Sequence, residues 1–499
     1  MTVLAHRTTA SDGKDALTQD ALAVLQPGFE GTTAPAWLLR RLGEGLTAVG
    51  LFGRNIASPE QLAALTAQLR TERDDVLVAI DEEGGDVTRL EVRGGSSFPG
   101  NLALGAVDDT GLTRDVAREL GRRLAECGVN LNWAPSADVN SNPDNPVIGV
   151  RSFGADTHLA ARHTAAYVEG LQAAGVAACT KHFPGHGDTN VDSHHALPRI
   201  DVDLDTLQAR ELVPFKAAIE AGTKAVMSAH ILVPALDPTR PATLSPQILT
   251  GLLRKELGYE GLIVTDGMEM NAIAGTYGIE RGSVLAIAAG ADAICVGGGL
   301  ADEATVLRLR DALVAAVREG ALPEERLADA AARVRALAAW TRGVRPDARP
   351  EGSRASGIGL TAARRAVVVT GSPEPVAAPY VATLTPVANI AVGDETPWGV
   401  AGELAALVPG TASGLYPEGA SAGDILAAAG ERTVVAVVRD AHRHPWMTEA
   451  LDALVAARPD TVVVEMGLPM AAPRGAVYIA THGASRVCGR AAAEVIAGA

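Results

Sequence analysis

Short apolar runs alternate with longer amphipathic stretches from residue 20 to about residue 300. This alternation is typical of βα units around a parallel sheet, and near-continuous apolar strands suit a sheet buried on both faces. Because eight such units close a barrel of about 250 residues or more, we predict a (β/α)8 TIM-type barrel. The eight runs are ALAVLQPG, TAVGLFGR, VLVAID, VNLNWAP, VAACTKHF, AVMSAHI, GLIVTDG and ADAICVGG.

A second domain is predicted after the barrel. The chain loses its periodicity beyond residue 340 and becomes rich in Pro, Gly, Arg and Ser, which is typical of a linker. Four more strand-like runs follow, separated by Ala-rich helical stretches: RRAVVVTG, RTVVAVVRDA, DTVVVEMGLP and GAVYIATHG. We therefore predict a barrel domain over residues 1–343, a linker over 344–360 and a smaller α/β sandwich domain over 361–499.

Composition and charge exclude several classes of partner. The formal net charge of −16 would repel nucleic acid and anionic membranes, and 3% aromatic residues leave few stacking platforms for a long polysaccharide groove. No run of about 18 apolar residues occurs, and the N-terminal segment lacks the pattern of a signal peptide, so we expect a cytoplasmic protein without a membrane span. The four cysteines stand far apart, mostly in apolar runs, and are interpreted as core residues.

One loop concentrates titratable groups. Residues 181–195, KHFPGHGDTNVDSHH, hold four of the 11 histidines, and their Gly and Pro content predicts a surface connection outside helix and strand. Histidine changes charge near neutral pH, so the cluster indicates proton transfer, a metal site or a solvated surface. We predict neither a metal nor a cofactor, because no compact ligand signature matches the spacing of His182, His186, Asp188, Asp192, His194 and His195.

Polar residues end several of the predicted strands. They are Asp81, Lys181 with His182, His230 and Asp266. A single such residue is typical of a helix cap or a turn, but the C-terminal strand ends of a barrel converge on one pocket. Asp266 ends a buried strand and should project into the barrel mouth, where a carboxylate can act as a nucleophile. The run VGGGL, which ends the eighth strand, is interpreted as a tight turn in preference to a phosphate cradle.

Asp192 and His194 form a second candidate group. One serine separates them, so the carboxylate can reach and orient the imidazole, which gives a general acid or base poised near neutral pH. Glycoside hydrolysis requires a proton donor for the leaving oxygen and a carboxylate at the anomeric carbon. Here Asp266 would be that carboxylate, and a histidine would take the place of the second carboxyl group.

The stretch KHFPGHGDTNVDSHHALP resembles the signature loop of glycoside hydrolase family 3, specifically of its β-N-acetylglucosaminidase branch, in which a His–Asp pair replaces the usual carboxylic acid. The similarity extends over roughly residues 20 to 300, and GAVYIATHGASRVCGRAAAEVIAG is similar to the α/β domain that some members append. The other matching segments, in family order, are GLFGRNI, IDEEGGDVTRL, FPGNLALGA, NLNWAPSADVN, NPVIGVRSFG, MSAHI, PATLSPQILTGLLRKELGYEGLIVTDGMEM and AGADAICVGG.

The resemblance implies a role for each matched residue. Asp266 would be the nucleophile and His194 the acid/base, with Asp192 as its orienting partner. Sugar hydroxyls would be bound by Asp81, Arg151, Lys181 and His182, although Arg151 and Lys181 could equally be ordinary ion-pair partners. The chain departs from the family at two positions: Asp86 stands where a basic residue is common, and Gly267 where many members have a second Asp.

The sequence therefore predicts an exo-acting, retaining β-N-acetylglucosaminidase that removes terminal β-linked N-acetylglucosamine from small oligosaccharides or muropeptide fragments. Phosphorolysis is the alternative reaction, because a neutral imidazole does not repel an anionic acceptor. A sugar-binding protein without turnover is a third hypothesis. Glu465 in TVVVEMGLP is a rival acid/base, which we interpret as a surface carboxylate at a strand end. The natural aglycone and the oligomeric state are not predicted.

Overall fold

The computed structural model describes residues 9–192, 197–345, 357–387, 392–393 and 395–499. Each of the eight apolar runs contains one short strand. The second to the seventh strand form one parallel sheet in sequence order, and the first pairs with the eighth. The strands are β1 Leu25–Pro27, β2 Ala48–Leu51, β3 Leu77–Ile80, β4 Leu131–Asn132, β5 Ala177–Phe183, β6 Ala225–Ser228, β7 Leu262–Thr265 and β8 Ile294–Val296.

Two further contacts between strands close the sheet into a barrel. A parallel bridge between Val264 and Ala293 joins β7 to β8, and β1 lies beside β2. A Cβ atom at Gly297 would lie 2.2 Å from the backbone nitrogen of Gly28, and Gly297 has a φ of +148°, so only glycine fits where β1 and β8 end. The predicted (β/α)8 barrel is confirmed.

Helices surround the barrel, as the amphipathic spacing predicts. Residues 246–256 are helical, and their hydrogen bonds have π spacing over Gln247–Glu256, as they do over Leu207–Glu211. The α-helices of this domain are α1 Thr9–Ala23, α2 Ala36–Glu44, α3 Pro59–Glu72, α4 Asn101–Val107, α5 Thr110–Glu126, α6 Thr157–Ala173, α7 Leu204–Thr206, α8 Leu212–Glu220, α9 Asn271–Tyr277, α10 Ile279–Ala289, α11 Glu303–Arg318 and α12 Glu324–Gly343.

Side chains from the strands fill the inside of the barrel. Leu337 of α12 packs into the same apolar cluster, together with Val334 and Ala338. Trp133, Met227 and Cys295 belong to this cluster and also line the cavity at the barrel mouth. The inside of the barrel is therefore filled with packed side chains, which form the floor of that cavity. All four cysteines are buried and free, as predicted.

The C-terminal domain is a three-layer α/β sandwich, which confirms that prediction. Its six-stranded sheet has the order β11-β10-β12-β13-β14-β9, in which only β9 is antiparallel to its neighbour. Helices α13, α14 and α17 pack on one face, and α15 and α16 on the other. The elements are α13 Ile358–Ala366, β9 Val368–Gly371, β10 Tyr380–Thr385, α14 Ala401–Leu407, β11 Ala412–Pro417, α15 Ala422–Ala429, β12 Val434–Val438, α16 Pro445–Ala457, β13 Val462–Glu465, β14 Val477–Ala480 and α17 Arg486–Ala497.

The two domains are in direct contact. Helix α12 ends at Gly343, and α13, which begins within the stretch predicted as a linker, packs against both α17 and the barrel helices α4 and α5. A Cβ atom at Gly359 would lie 2.0 Å from the carbonyl oxygen of Ser97, so α13 approaches the barrel closely. The domain limits 1–343, 344–360 and 361–499 stay predictions. No helix among the described residues has the length and apolar character that a membrane crossing requires.

Candidate active site

A cavity of about 570 Å³ opens at the C-terminal end of the barrel. This volume falls within the range of small-molecule sites, and we call it the barrel cavity. Five of the seven residues predicted for the site line it: Asp81, Arg151, Lys181, His182 and Asp266. Asp192 lines a neighbouring cavity, and His194 lies outside the described residues.

Lys181 lies between two carboxylates on the wall of the barrel cavity. Its Nζ atom lies 2.6 Å from Asp81 Oδ1 and 2.7 Å from Glu83 Oε1, and the side chain is only 2% exposed. Although burial opposes ionisation, the carboxylates of Asp81 and Glu83 raise the pKa of Lys181 above its usual value. The ammonium is therefore charged and joins two acidic residues that follow β3.

Glu83, which the sequence analysis did not single out, also binds Arg151. The Arg151 guanidinium donates to both carboxylate oxygens, with Nη2–Oε1 at 2.7 Å and Nε–Oε2 at 3.0 Å. Although Glu83 is buried, the charges of Arg151 and Lys181 hold its pKa well below the usual value. Arg151 and Lys181 are thus ion-pair partners as well as residues of the cavity wall.

His182 has a defined tautomer in this arrangement. Its Nδ1 atom lies 2.7 Å from Asp138 Oδ2, and Arg151 Nη2 lies 3.3 Å from its Nε2 atom. A guanidinium has only donors, so Nε2 accepts a hydrogen bond and the ring proton is on Nδ1, facing Asp138. Both ring nitrogens are engaged by protein groups, and the implied contact of His182 with a sugar hydroxyl stays a prediction.

The expectation that residues 181–195 form a surface connection outside any strand is wrong for the first part of this segment. Strand β5 continues to Phe183, and His186 is buried. The backbone N–H of His186 donates to Asp138 Oδ1 at 2.7 Å, while burial and the neighbouring His182 lower the pKa of the His186 imidazole to about 4. Asp138, in the loop after β4, replaces solvent at the His186 backbone N–H, which a composition-based prediction cannot detect.

A helical segment anchors the next residues of this loop. Arg210 Nη2 lies 2.6 Å from Asp188 Oδ2. A Cβ atom at Gly185 would lie 2.6 Å from Glu211 Oε2, and one at Gly187 would lie 1.7 Å from a backbone carbonyl oxygen. The loop is thus tightly packed up to Asp188. In the described part of the chain, no group of three or more His, Cys, Asp or Glu side chains is arranged to hold a metal ion.

Asp266 follows β7 and is partly exposed at the barrel mouth. Its backbone N–H donates to Ser228 O at 3.1 Å, and its Oδ1 atom accepts from the Gly267 N–H at 2.8 Å. These contacts fix the carboxylate at the end of the strand while it lines the barrel cavity. The structure therefore puts Asp266 where the strand pattern predicts.

The glycine run after β8 binds an internal carboxylate. Glu269 Oε1 accepts from the backbone N–H groups of Gly297, at 2.8 Å, of Gly298, and of Gly299, at 3.4 Å. Converging N–H groups form an anion site of the kind that phosphate cradles use, but the protein's own Glu269 occupies it. Gly298 and Gly299 form a bend, so the interpretation of the run as a tight turn stays a prediction, and Glu269 is a residue of the cavity wall that the sequence analysis missed.

A second cavity, of about 730 Å³, lies between the two domains, and we call it the interdomain cavity. It shares Val147 and Arg151 with the barrel cavity, and Asp192 lines it. Asp86 lies on its barrel side, where Oδ2 is 2.5 Å from Arg439 Nη2 of the other domain. Asp86 therefore provides an acidic partner for an arginine of the C-terminal domain.

The interpretation of Glu465 as a surface carboxylate is wrong. Glu465 is 1% exposed and accepts hydrogen bonds from the backbone N–H groups of Asp440, Ala441 and Gly467. Burial, together with the charge of Asp440, raises its pKa to about 7. Glu465 lines neither cavity and instead supports the turn that follows β12.

Glu83 and Asp138 were missed although weak signals existed. Both lie in polar stretches that follow apolar strands, in IDEEGG and NWAPSADVN. Glu83 lies three positions beyond the end of β3 and Asp138 six positions beyond the end of β4, outside the strand ends from which the site was predicted. Their importance comes from pairing with Arg151, Lys181 and His182, which are distant in sequence.

Residues 36–337 match the family model described as the N-terminal domain of glycosyl hydrolase family 3. The chain belongs to glycosyl hydrolase family 3. Both the family resemblance and the predicted class of enzyme, a glycoside hydrolase, are confirmed. The chain is 38% identical to beta-hexosaminidase A of Pseudoalteromonas piscicida over 312 residues, which are 58% of this chain and 52% of that protein, so it spans about half of that relative's length.

Two solved structures of the family are similar. The β-N-acetylglucosaminidase of Paenibacillus sp. str. FPU-7 has 35% sequence identity and a TM-score of 0.85, covering 97% of this chain and 96% of that chain. NagZ of Neisseria gonorrhoeae, solved in complex with N-trifluoroacetyl-D-glucosamine, has 29% identity and a TM-score of 0.55, covering 69% of this chain and 96% of that chain. The first of these matches includes both domains.

Proposed function

We propose that this family 3 enzyme is an exo-acting, retaining β-N-acetylglucosaminidase. Its substrates would be small oligosaccharides or muropeptide fragments with a terminal, non-reducing, β-linked N-acetylglucosamine. The observation that carries the proposal is the meeting of the Asp266 carboxylate with Asp81, Arg151 and Lys181 in one cavity. The similarity to the Paenibacillus β-N-acetylglucosaminidase over 97% of the chain supports the choice of sugar.

The charged residues of the barrel cavity are suited to bind sugar hydroxyl groups. An ammonium has three donors, and Lys181 uses two on Asp81 and Glu83, so one is left for a ligand. The Asp81 carboxylate is 25% exposed and can accept from a hydroxyl group. Because the packed barrel core forms the floor of the cavity, a chain end enters more readily than the middle of a polysaccharide, which supports exo action.

The reaction would proceed in two displacements. In the first, the bond between the anomeric carbon and the leaving oxygen breaks as Asp266 forms a glycosyl ester, and the His194 imidazole gives its proton to that oxygen. In the second, water attacks the anomeric carbon, His194 takes its proton and the Asp266 carboxylate leaves. Asp192 would orient the imidazole through both steps.

Phosphorolysis is the second candidate reaction. A histidine acid/base leaves room for an anionic acceptor, and Arg443 lines the interdomain cavity together with Asp192. The products would differ, because phosphate attack on the glycosyl ester yields N-acetylglucosamine 1-phosphate and water attack yields the free sugar.

The deciding experiment is product analysis with 4-nitrophenyl β-N-acetylglucosaminide and the corresponding glucoside, each with and without phosphate. We expect cleavage of the N-acetylglucosaminide, with free N-acetylglucosamine as product under both conditions. Preference for the glucoside would contradict the proposed sugar, and a sugar phosphate would establish phosphorolysis. The cytoplasmic location stays a prediction.

A further inference from the structure

The interdomain cavity lies on the leaving-group side of the proposed reaction. The acid/base stands beside the leaving oxygen in such a mechanism. Asp192, the proposed orienting partner of the acid/base, lines the interdomain cavity and not the barrel cavity. If the cleaved sugar occupies the barrel cavity, the leaving group extends past Arg151 into the space between the domains. This step rests on the proposed function.

Two of the arginines around this cavity are paired with carboxylates of the protein. Arg439 pairs with Asp86, and Arg151 pairs with Glu83. Asp440 lies on the same wall, and its Oδ1 atom accepts a hydrogen bond from the backbone N–H of Leu468 at 2.8 Å. Burial, together with the charge of Arg443, lowers the pKa of the His444 imidazole.

Arg443 differs from the other two arginines of this cavity. It is half-buried on the cavity wall, and within the described ranges no carboxylate forms an ion pair with its guanidinium. The turn that carries it is well fixed, because the Arg443 N–H donates to Asp440 O at 2.9 Å and Glu465 accepts from the N–H groups of Asp440 and Ala441. The Arg443 guanidinium thus lies on a fixed turn, in a cavity large enough for a ligand, and is suited to bind an anion.

We infer that Arg443 binds an oxyanion on the leaving-group side of the active site. Two sources share this chemistry: a carboxylate carried by the leaving group, and inorganic phosphate entering as the acceptor. In the phosphate case, an oxygen of dianionic hydrogen phosphate bonds to the anomeric carbon while the ester bond to Asp266 breaks. The Asp266 carboxylate is then regenerated, and the sugar leaves as its phosphate monoester anion.

The first arm of the test compares the N-acetyl-β-glucosaminides of 4-hydroxyphenylacetic acid and of its amide. These substrates differ by one carboxylate, which a methylene group insulates from the phenolic oxygen. For a carboxylate ligand we expect the wild type to favour the acid, and Arg443→Gln to lower the acid-to-amide ratio of kcat/KM about tenfold. Arg443→Lys should retain part of the preference, and Arg432→Gln, at an exposed arginine of the same domain, should retain it fully.

The second arm adds millimolar phosphate to the amide substrate. If phosphate is the ligand, wild-type turnover should rise with N-acetylglucosamine 1-phosphate as product, and Arg443→Gln should lose this effect while the acid-to-amide ratio stays the same in both proteins. Thermal unfolding of each variant checks that it folds. Calorimetric titration with phosphate and with free 4-hydroxyphenylacetate tests the site independently of turnover.

The inference is overturned if Arg443→Gln changes neither the acid-to-amide ratio nor the phosphate effect, and if both anions bind equally to the variant and the wild type. Cleavage of the amide substrate by the wild type in that case leaves the proposed function intact. A wild type that cleaves neither glycoside contradicts the proposed function, and the titration then still decides whether Arg443 binds an anion.

Discussion

Arg439 of the C-terminal domain forms an ion pair with Asp86 of the barrel, with 2.5 Å between Nη2 and Oδ2. Asp86 also accepts from the backbone N–H of Ala484 at 2.8 Å, so two segments of the second domain meet one carboxylate. Only two glycines separate Asp86 from Glu83, which holds Lys181 and Arg151 in the barrel cavity. The C-terminal domain therefore contacts the same barrel segment that carries Glu83.

Loss of the Asp86–Arg439 pair should destabilise the protein. We expect Asp86→Ala to lower the free energy of unfolding by about 3–5 kcal/mol, because it leaves Arg439 facing a buried position without its partner. Asp86→Ala combined with Arg439→Met should cost less than the sum of the two single changes. Denaturant unfolding measures both effects. Arg474→Met, which removes the more exposed pair with Asp452, should cost less than about 1 kcal/mol.

Lys181 neutralises two carboxylates that would otherwise repel each other. Lys181→Met should therefore lower the free energy of unfolding by about 3–5 kcal/mol and also reduce kcat/KM, since Asp81 and Glu83 lose their shared cation. Adding Asp81→Asn to this variant should restore part of the stability, because Glu83 keeps its ion pair with Arg151. Lys255→Met, at an exposed lysine, serves as the control. Unchanged unfolding of Lys181→Met would contradict the structural role of this network.

Asp266 should carry the covalent intermediate. Asp266→Asn is expected to lose several orders of magnitude in turnover, because an amide cannot act as the nucleophile. A slow fluorinated substrate should label the wild-type peptide that contains Asp266, and NMR should show the β anomer as the first-formed product. Asp311→Asn, at an exposed helix position, is the matched control. Initial release of the α anomer would exclude the double-displacement mechanism.

The acid/base assignment predicts a dependence on the leaving group. His194→Ala should retain a larger fraction of its activity on an activated aryl glycoside than on a disaccharide, because the aryl group needs little protonation. Azide should partly restore its turnover, and Asp192→Ala should have a smaller effect, since only orientation is lost. If Glu465→Ala shows this pattern while His194→Ala behaves like the wild type, the assignment is wrong.

Glu465 should make stability depend on pH. Its pKa is raised from 4.5 to about 7 in the folded protein, so between these values the folded state binds more protons than the unfolded state, and stability falls as pH rises. The Glu465→Gln variant has no titrating group at this position and lacks this pH dependence. Its loss of stability relative to the wild type should therefore be larger at pH 5 than at pH 8, by on the order of 3 kcal/mol. Denaturant unfolding at both pH values tests this, and a difference that does not change with pH would contradict the raised pKa.

The sequence by itself determined the barrel. Each of the eight apolar runs contains a strand, because strands buried on both faces are mostly apolar, and that requirement is local. The strands β10 and β11 were not predicted. Residues Ala412–Pro417 form an edge strand that alternates between half-buried and exposed positions, and they lack the continuous apolar run on which the prediction depended.

The sequence also identified Asp81, Lys181 and Asp266, because a polar residue at the end of a buried apolar run is a local signal. Only the tertiary structure decided what their neighbours do. Glu83 and Asp138 acquire their roles from cations and imidazoles some 40 to 100 positions away, and Glu465 is buried because backbone N–H groups of a turn after β12 replace its solvent. Burial and pairing are properties of the packed chain, so no pattern along the sequence distinguishes these carboxylates from those at the surface.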